Sequence, residues 1–249
     1  MKIKILHLYY DLMNLYGEYG NVKAITRFLT EAGAKVEIEE KSLGDTPEFA
    51  DYDLLYMGAG TEENQKVVLE ELRQSQTQLK DYIDKNGFAL FTGNSFEILG
   101  KNITEAGGNI VPGLNLFSFE TMEQKKRRLT GDAIFFLEGL KEPLVGFINK
   151  CSEMKDNGFS CFMVEMGLED EKGKRTEGLR YKNLIGTHLT GPLLVKNPHF
   201  LFYFGKKLLE TKTGESLSGE REIYLKNQVF RDEFAAYETT LRELRKRNE

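Results

Sequence analysis

Residues Phe88-Ala-Leu-Phe-Thr92 constrain this chain more than any other segment. They are apolar on both sides of the strand alternation, so a strand built from them has no face to give to water. Such a strand belongs inside a parallel sheet that is covered by helices above and below. It runs at once into Gly93-Asn94-Ser95, which predicts a sharp turn and then a helix ending near Gly100.

Earlier segments repeat the same order of strand and helix. Residues 3–9 read as a strand, followed by a polar turn containing Asn14, Gly17, Gly20 and Asn21. A helix is expected from Asn21, as its N-cap, to Ala32, with Val22, Ile25, Phe28 and Leu29 on its apolar face and Gly33 as its stop. Residues 35–39 alternate with period two, and 53–57 form a short apolar run that ends in Gly58-Ala59-Gly60. One long amphipathic helix is expected from Thr61 to about Lys85, with Glu62 and Glu63 suited to its first turn. The alternation predicts an α/β domain, a three-layer α/β/α sandwich around a parallel sheet. Ligands bind such sheets at the carboxyl ends of the strands. The loops 58–61 and 92–95 lie there and are expected to face each other.

From about 110 to 187 the texture changes to short strand-like runs: Leu114–Phe119, Leu144–Ile148, Ser160–Glu165 and Leu184–Thr187. These read as an antiparallel or mixed continuation of the same layer. A helix at about 198–211 closes the core, and a polar stretch follows to Gly219. The last helix, about 228–247, sets Phe230, Phe234, Tyr237, Leu241 and Leu244 in one stripe, which can pack on the parent domain or dock a partner. The expected division is a domain over 1–210 and a C-terminal extension over 211–249.

Composition narrows the function. A chain of 249 residues can bury a sizeable core. Its net charge of −5 argues against a nucleic-acid partner, which needs a strong basic excess. The one basic run, Lys125-Lys126-Arg127-Arg128, reads first as a solvated turn. No stretch approaches the roughly 18–20 apolar residues of a membrane span, and the opening is broken too soon by Asp11 to be a signal peptide. Cys151 and Cys161 suit a reducing compartment and read as small buried hydrophobes. With His7, His188 and His199 as the only histidines, no metal site is expected, and no cofactor either. The expected location is the cytoplasm.

Three segments could carry chemistry. Gly58-Ala59-Gly60 joins a strand to a helix, so its backbone N–H groups can converge on an anion or oxyanion, although a plain tight turn needs the same glycines. Thr92-Gly93-Asn94-Ser95 has the pattern of a nucleophile elbow. Gly186-Thr-His188-Leu-Thr190-Gly191-Pro-Leu-Leu194 is a compact loop ahead of the closing helix.

In order and spacing these segments resemble the class I glutamine amidotransferases of the cobyric-acid-synthase-like (CobB/CobQ-like) type, in particular their GatD-like branch. The resemblance begins at Asp11-Leu-Met-Asn-Leu-Tyr-Gly-Glu-Tyr-Gly-Asn21 (family "LNLYGDRGN") and continues through Gly58-Ala-Gly-Thr-Glu-Glu-Asn-Gln65 and Phe96-Glu-Ile-Leu-Gly100. It runs on through Gly146-Phe-Ile-Asn149 and Thr176-Glu-Gly-Leu-Arg-Tyr-Lys-Asn-Leu-Ile-Gly186 to Gly191-Pro-Leu-Leu-Val-Lys-Asn-Pro198 (family "GPLLPKNP"). The resemblance implies a flavodoxin-like sandwich and a soluble subunit. It also implies a heterodimer with a Mur-ligase-like (MurT-like) ATP-dependent partner that amidates a cell-wall precursor.

The family's chemistry uses a thiolate at the elbow, generated by a histidine, to attack the amide of glutamine, with backbone N–H groups holding the oxyanion. The family's "CGGYQLLG" lies over Gly93–Gly100, and its "GTYLHGP" over Gly186–Pro192. The nucleophile position is therefore Gly93 and the base position Thr190, so no catalytic residue is intact. A glycine there also suits the unusual φ/ψ of an elbow. The positions left for binding glutamine or a related small molecule are Gly58, Ala59, Gly60, Asn94, Arg128 and His188. His188 shares a strand face with Thr190, and the Arg128 guanidinium is expected to reach toward the pocket. Cys151 and Cys161 lie far from the elbow in sequence and are not expected to substitute. The leading expectation is an amidotransferase-like subunit without glutaminase activity. The alternatives are an active amidotransferase with rearranged groups, or a free-standing small-molecule binding module.

Overall fold

The computed structural model describes all residues except 126–127, 156–157, 168–175 and 249, and the side chain of residue 248. Its strands are β1 (Lys2–Leu8), β2 (Lys35–Lys41), β3 (Leu54–Met57), β4 (Phe88–Thr92), β5 (Asn102–Thr104), β6 (Ile110–Pro112), β7 (Glu120–Glu123), β8 (Leu129–Leu137), β9 (Leu144–Lys150), β10 (Ser152–Lys155), β11 (Phe162–Met166), β12 (Thr176–Glu177), β13 (Leu179–Tyr181) and β14 (Leu184–Thr187). Its helices are α1 (Tyr19–Glu31), α2 (Glu62–Leu72), α3 (Gln76–Asp84), α4 (Leu193–Lys196), α5 (Pro198–Thr213), α6 (Gly219–Tyr224) and α7 (Arg231–Asn248).

The central sheet has the order β13-β14-β4-β3-β1-β2 and is parallel except for β13, which runs against β14. All five residues of β4 are buried. Phe88 and Leu90 join the core under α1 and α5, while Ala89 and Phe91 join the core under α2 and α3. In β1 the alternation is the same, with Ile3 and Ile5 on one face and Leu6 and Leu8 on the other. These two apolar faces are why helices cover the sheet on both sides.

Several boundaries differ from the sequence reading. Helix α1 starts two residues before Asn21, and Asn14 supplies the side-chain oxygen that accepts the Tyr19 N–H at 2.8 Å. Asn21 is instead buried, donating to the Tyr56 hydroxyl at 2.8 Å and accepting the Leu194 N–H at 2.7 Å. The long helix expected to Lys85 is broken at Arg73–Ser75 by a 3-10 turn between α2 and α3. The segment after the elbow, Gly93–Leu99, is 3-10 helix.

Within the region from 110 to 187, only β13 and β14 continue the central layer among the described residues. Its other described strands, together with β5, build two separate four-stranded sheets, β10-β7-β5-β6 and β12-β11-β8-β9. Leu114–Phe119 is not a strand, because its backbone N–H groups turn back to Ile98, Leu99 and Gly100. The apolar side chains Leu114, Phe117 and Phe119 fill the core behind the elbow. Helix α7 lays Tyr237 and Leu244 on Ile134 and Val145, and the Tyr237 hydroxyl donates to Pro143 O at 2.6 Å. The terminal stripe thus packs on its own chain.

Candidate functional site

Strand β4 ends at the sheet's carboxyl edge beside β3, so the loops that leave these two strands meet. Gly93 holds φ at +66°, the left-handed region open to glycine. A Cβ placed on it would lie 2.3 Å from Ala59 Cβ and 3.2 Å from Thr190 Cγ2. The elbow and the glycine corner therefore face each other, as the strand-turn-helix pattern at both places predicts, and the loop before α4 joins them.

A cavity of about 240 Å3 opens there, lined among others by Ala59, Gly60, Gly93, Asn94, Arg128 and Thr190. The Arg128 guanidinium donates to Asn149 Oδ1 at 2.9 Å and to Glu62 Oε1, on the cavity wall. Its neighbours Lys126 and Arg127 in the basic run lie outside the described residues. The Thr190 hydroxyl is committed to Phe147 O at 2.9 Å, and the two backbones are bridged in both directions.

Two of the expected binding residues do not line the cavity. Gly58 sits behind it, where a Cβ would strike Met13 O at 2.5 Å and Glu18 Cβ at 2.7 Å. Its role is close packing. His188 points into the core, with Nδ1 2.9 Å from Glu177 Oε1 and Nε2 2.7 Å from Glu97 Oε1. Its ring packs edge-on against Phe96. Its link to the site is Glu97, which does line the cavity.

Sequence reasoning missed three site residues. Glu97, four positions after Gly93, is buried; its carboxylate accepts from Gln65 Nε2 at 3.0 Å and from the Ser152 hydroxyl, besides facing His188. Burial alone would push this carboxyl up, but His188, Ser152 and Gln65 together hold it below the usual carboxylate range. Glu18 lies under the elbow. It accepts the Gly191 N–H at 3.0 Å, the Tyr56 hydroxyl at 2.9 Å and the Thr92 hydroxyl, tying the elbow strand to the loop before α4. Burial raises its pKa despite those bonds. Cys151 lines the cavity, 3.2 Å from Glu62 Oε1, although it is remote from Gly93 in sequence. Burial first, and then the Glu62 carboxylate, push this thiol up to about 12, so it stays protonated near neutral pH. Cys161 packs beside the core away from the cavity, and burial raises its pKa as well. Among the described residues, no group of three or more His, Cys, Asp or Glu could hold a metal ion.

A parallel sheet of this order, with an elbow, a glycine corner and a third loop at its carboxyl edge, defines a class I glutamine amidotransferase fold of flavodoxin-like type. Two solved structures carry the same fold. One is a glutamine amidotransferase from Thermotoga maritima, at a TM-score of 0.50 and 11% identity, covering 94% of this chain and 96% of that one. The other is also a glutamine amidotransferase, at a TM-score of 0.52 and 11% identity, covering 80% and 98%. The sequence profile of the CobB/CobQ-like glutamine amidotransferase domain matches residues 4–198, and the chain belongs to that family. Among its relatives is the GatD subunit of lipid II isoglutaminyl synthase (glutamine-hydrolyzing) of Streptococcus pneumoniae, 28% identical over 218 residues, covering 87% of this chain and 84% of the relative. The Staphylococcus aureus GatD subunit is 29% identical over 229 residues, covering 90% and 93%. No described helix is long and apolar enough to cross a membrane.

Proposed function

We propose that this chain is the amidotransferase-like subunit of a two-component, GatD-like assembly and that it does not hydrolyse glutamine. Its partner is a Mur-ligase-like (MurT-like) ATP-dependent subunit acting on a cell-wall precursor in the cytoplasm. Residues 1–210 form the amidotransferase-like domain and 211–249 the extension. The observation that carries the reading is position 93. The elbow residue whose Cβ would point at both Ala59 and Thr190 is a glycine, with no atom that could form an acyl intermediate. Thr190, whose hydroxyl is spent on Phe147 O, cannot take up a proton near neutral pH as a histidine does.

The presence of Cys151 in the same cavity favours one second reading, an active enzyme with a displaced nucleophile. Its thiol argues against this, because a pKa of about 12 leaves almost no thiolate at pH 7. The test is ammonia release from glutamine by the chain co-purified with its Mur-ligase-like partner. No turnover above background is expected. Turnover that disappears in Cys151→Ala would establish the second reading instead.

A further inference from the structure

We infer that Asn94 is a specificity-determining residue, whose carboxamide fills the oxyanion corner at Gly60 and shuts out the side chain of glutamine. The inference rests on reading this cavity as a former glutaminase pocket. The Gly60 N–H donates to Asn94 Oδ1 at 3.0 Å. Only an oxygen can accept from that N–H, so the carboxamide oxygen faces the corner and its NH2 faces away. This is the pose that the reacting end of a glutamine would need, a carbonyl oxygen on a backbone N–H where the strand β3 gives way to helix α2. A group tethered two bonds from the elbow backbone competes there at a high effective concentration.

The tether is also held in place. Asn94 O accepts from Gln65 Nε2 at 2.6 Å, and the same nitrogen is 3.0 Å from Glu97 Oε2. Glu97 is in turn held by His188, and His188 by Glu177. Gln65, Glu97, His188 and Glu177 are all buried. A buried polar network is stable only when its members are satisfied together, so Gln65 cannot swing away without orphaning its partners. The network that the lost chemistry leaves unexplained therefore has a task, which is to fix the residue that closes the corner. Ala59 and Gly93 pack against each other alongside it, and the rim carrying Arg128 and Glu62 stays accessible for a ligand that brings no carboxamide.

The experiment is calorimetric titration of L-glutamine into the full chain and into Asn94→Gly and Asn94→Ala, alongside the glutaminase assay. The variants are expected to bind at least tenfold more tightly than the parent, still without turnover. Equal affinity in all three, with no turnover anywhere, overturns the inference and leaves the functional reading standing. Turnover in the parent overturns the functional reading itself. Should the variants fail to fold, hydrogen exchange at the Gly60 amide of the unaltered chain decides: slow exchange supports the contact, and exchange at the rate of a free loop amide overturns it.

Discussion

Gly93 and Ala59 form a mutually adjusted pair. With φ at +66° and Ala59 Cβ only 2.3 Å from the site of any new Cβ, a cysteine at position 93 meets both strain and overlap. Gly93→Cys is expected to destabilise the chain by about 1–3 kcal/mol. Ala59→Gly removes the overlapping methyl group, so the double variant should be more stable than the sum of the singles predicts, with a coupling of about 0.5–3 kcal/mol. Denaturant unfolding of the four proteins in the cycle measures it, and additive effects would mean that the elbow relaxes away from β3. That Gly93 and Thr190 belong to one corner was legible because short motifs on both sides of each position fix the order of the loops along the chain. The places of Glu18, Glu97 and Cys151 were not. Each reaches the site through a pairing remote in sequence, such as Glu18 with Gly191 or Cys151 with Glu62, and no local pattern encodes such a pairing.

The strands that periodicity identifies best are those whose two faces meet different cores. β4 and β1 were legible for that reason, and β14 has the bounds that its apolar run suggests. Elements decided by tertiary contact were not. Leu114–Phe119 has a strand's composition, but its N–H groups find partners at Ile98, Leu99 and Gly100, so it folds as a loop over the elbow. Between α2 and α3 the apolar pattern continues while the backbone breaks, and the sequence carries no proline or glycine there to mark it. The terminal stripe was read correctly as an apolar face, with its destination left open. In the structure Tyr237 and Leu244 cover Ile134 and Val145. Leu244→Ala is expected to cost about 2 kcal/mol through the cavity it leaves. Tyr237→Phe should cost about 1 kcal/mol, because it leaves Pro143 O without its donor. Both are read from chemical denaturation midpoints. Losses near zero would mean that α7 is docked too weakly to belong to the folded unit, and that its stripe is free for a partner.

At the scale of the whole molecule, stability is set against pH by buried groups with shifted protonation. His7, next to the last residue of β1, is fully buried against the rings of Tyr10, Tyr19 and Tyr56, and neither ring nitrogen has a hydrogen-bond partner among the described residues. Burial lowers its pKa from 6.5 to about 4. His199, against Tyr237, is lowered to about 4 by the same cause, partly opposed by Glu142. Between those two pH values the unfolded chain binds protons that the native histidines refuse, so stability is full above about 6.5 and falls as pH drops toward 4. Glu18 acts in the opposite direction, since its raised pKa makes the native state the better proton binder as pH falls. The net curve therefore mixes signs, and a single variant separates them. His7→Phe keeps a ring among the tyrosines and removes the titration. Between pH 7 and pH 5 the parent should lose about 2 kcal/mol more than the variant, the value expected for one site shifted this far. Urea unfolding of both proteins at the two pH values gives the comparison. Any packing penalty of the larger ring shifts both measurements on the variant equally, so the difference in pH dependence isolates the proton. Parallel curves would show that His7 is protonated in the folded chain and that water reaches it among the three tyrosines.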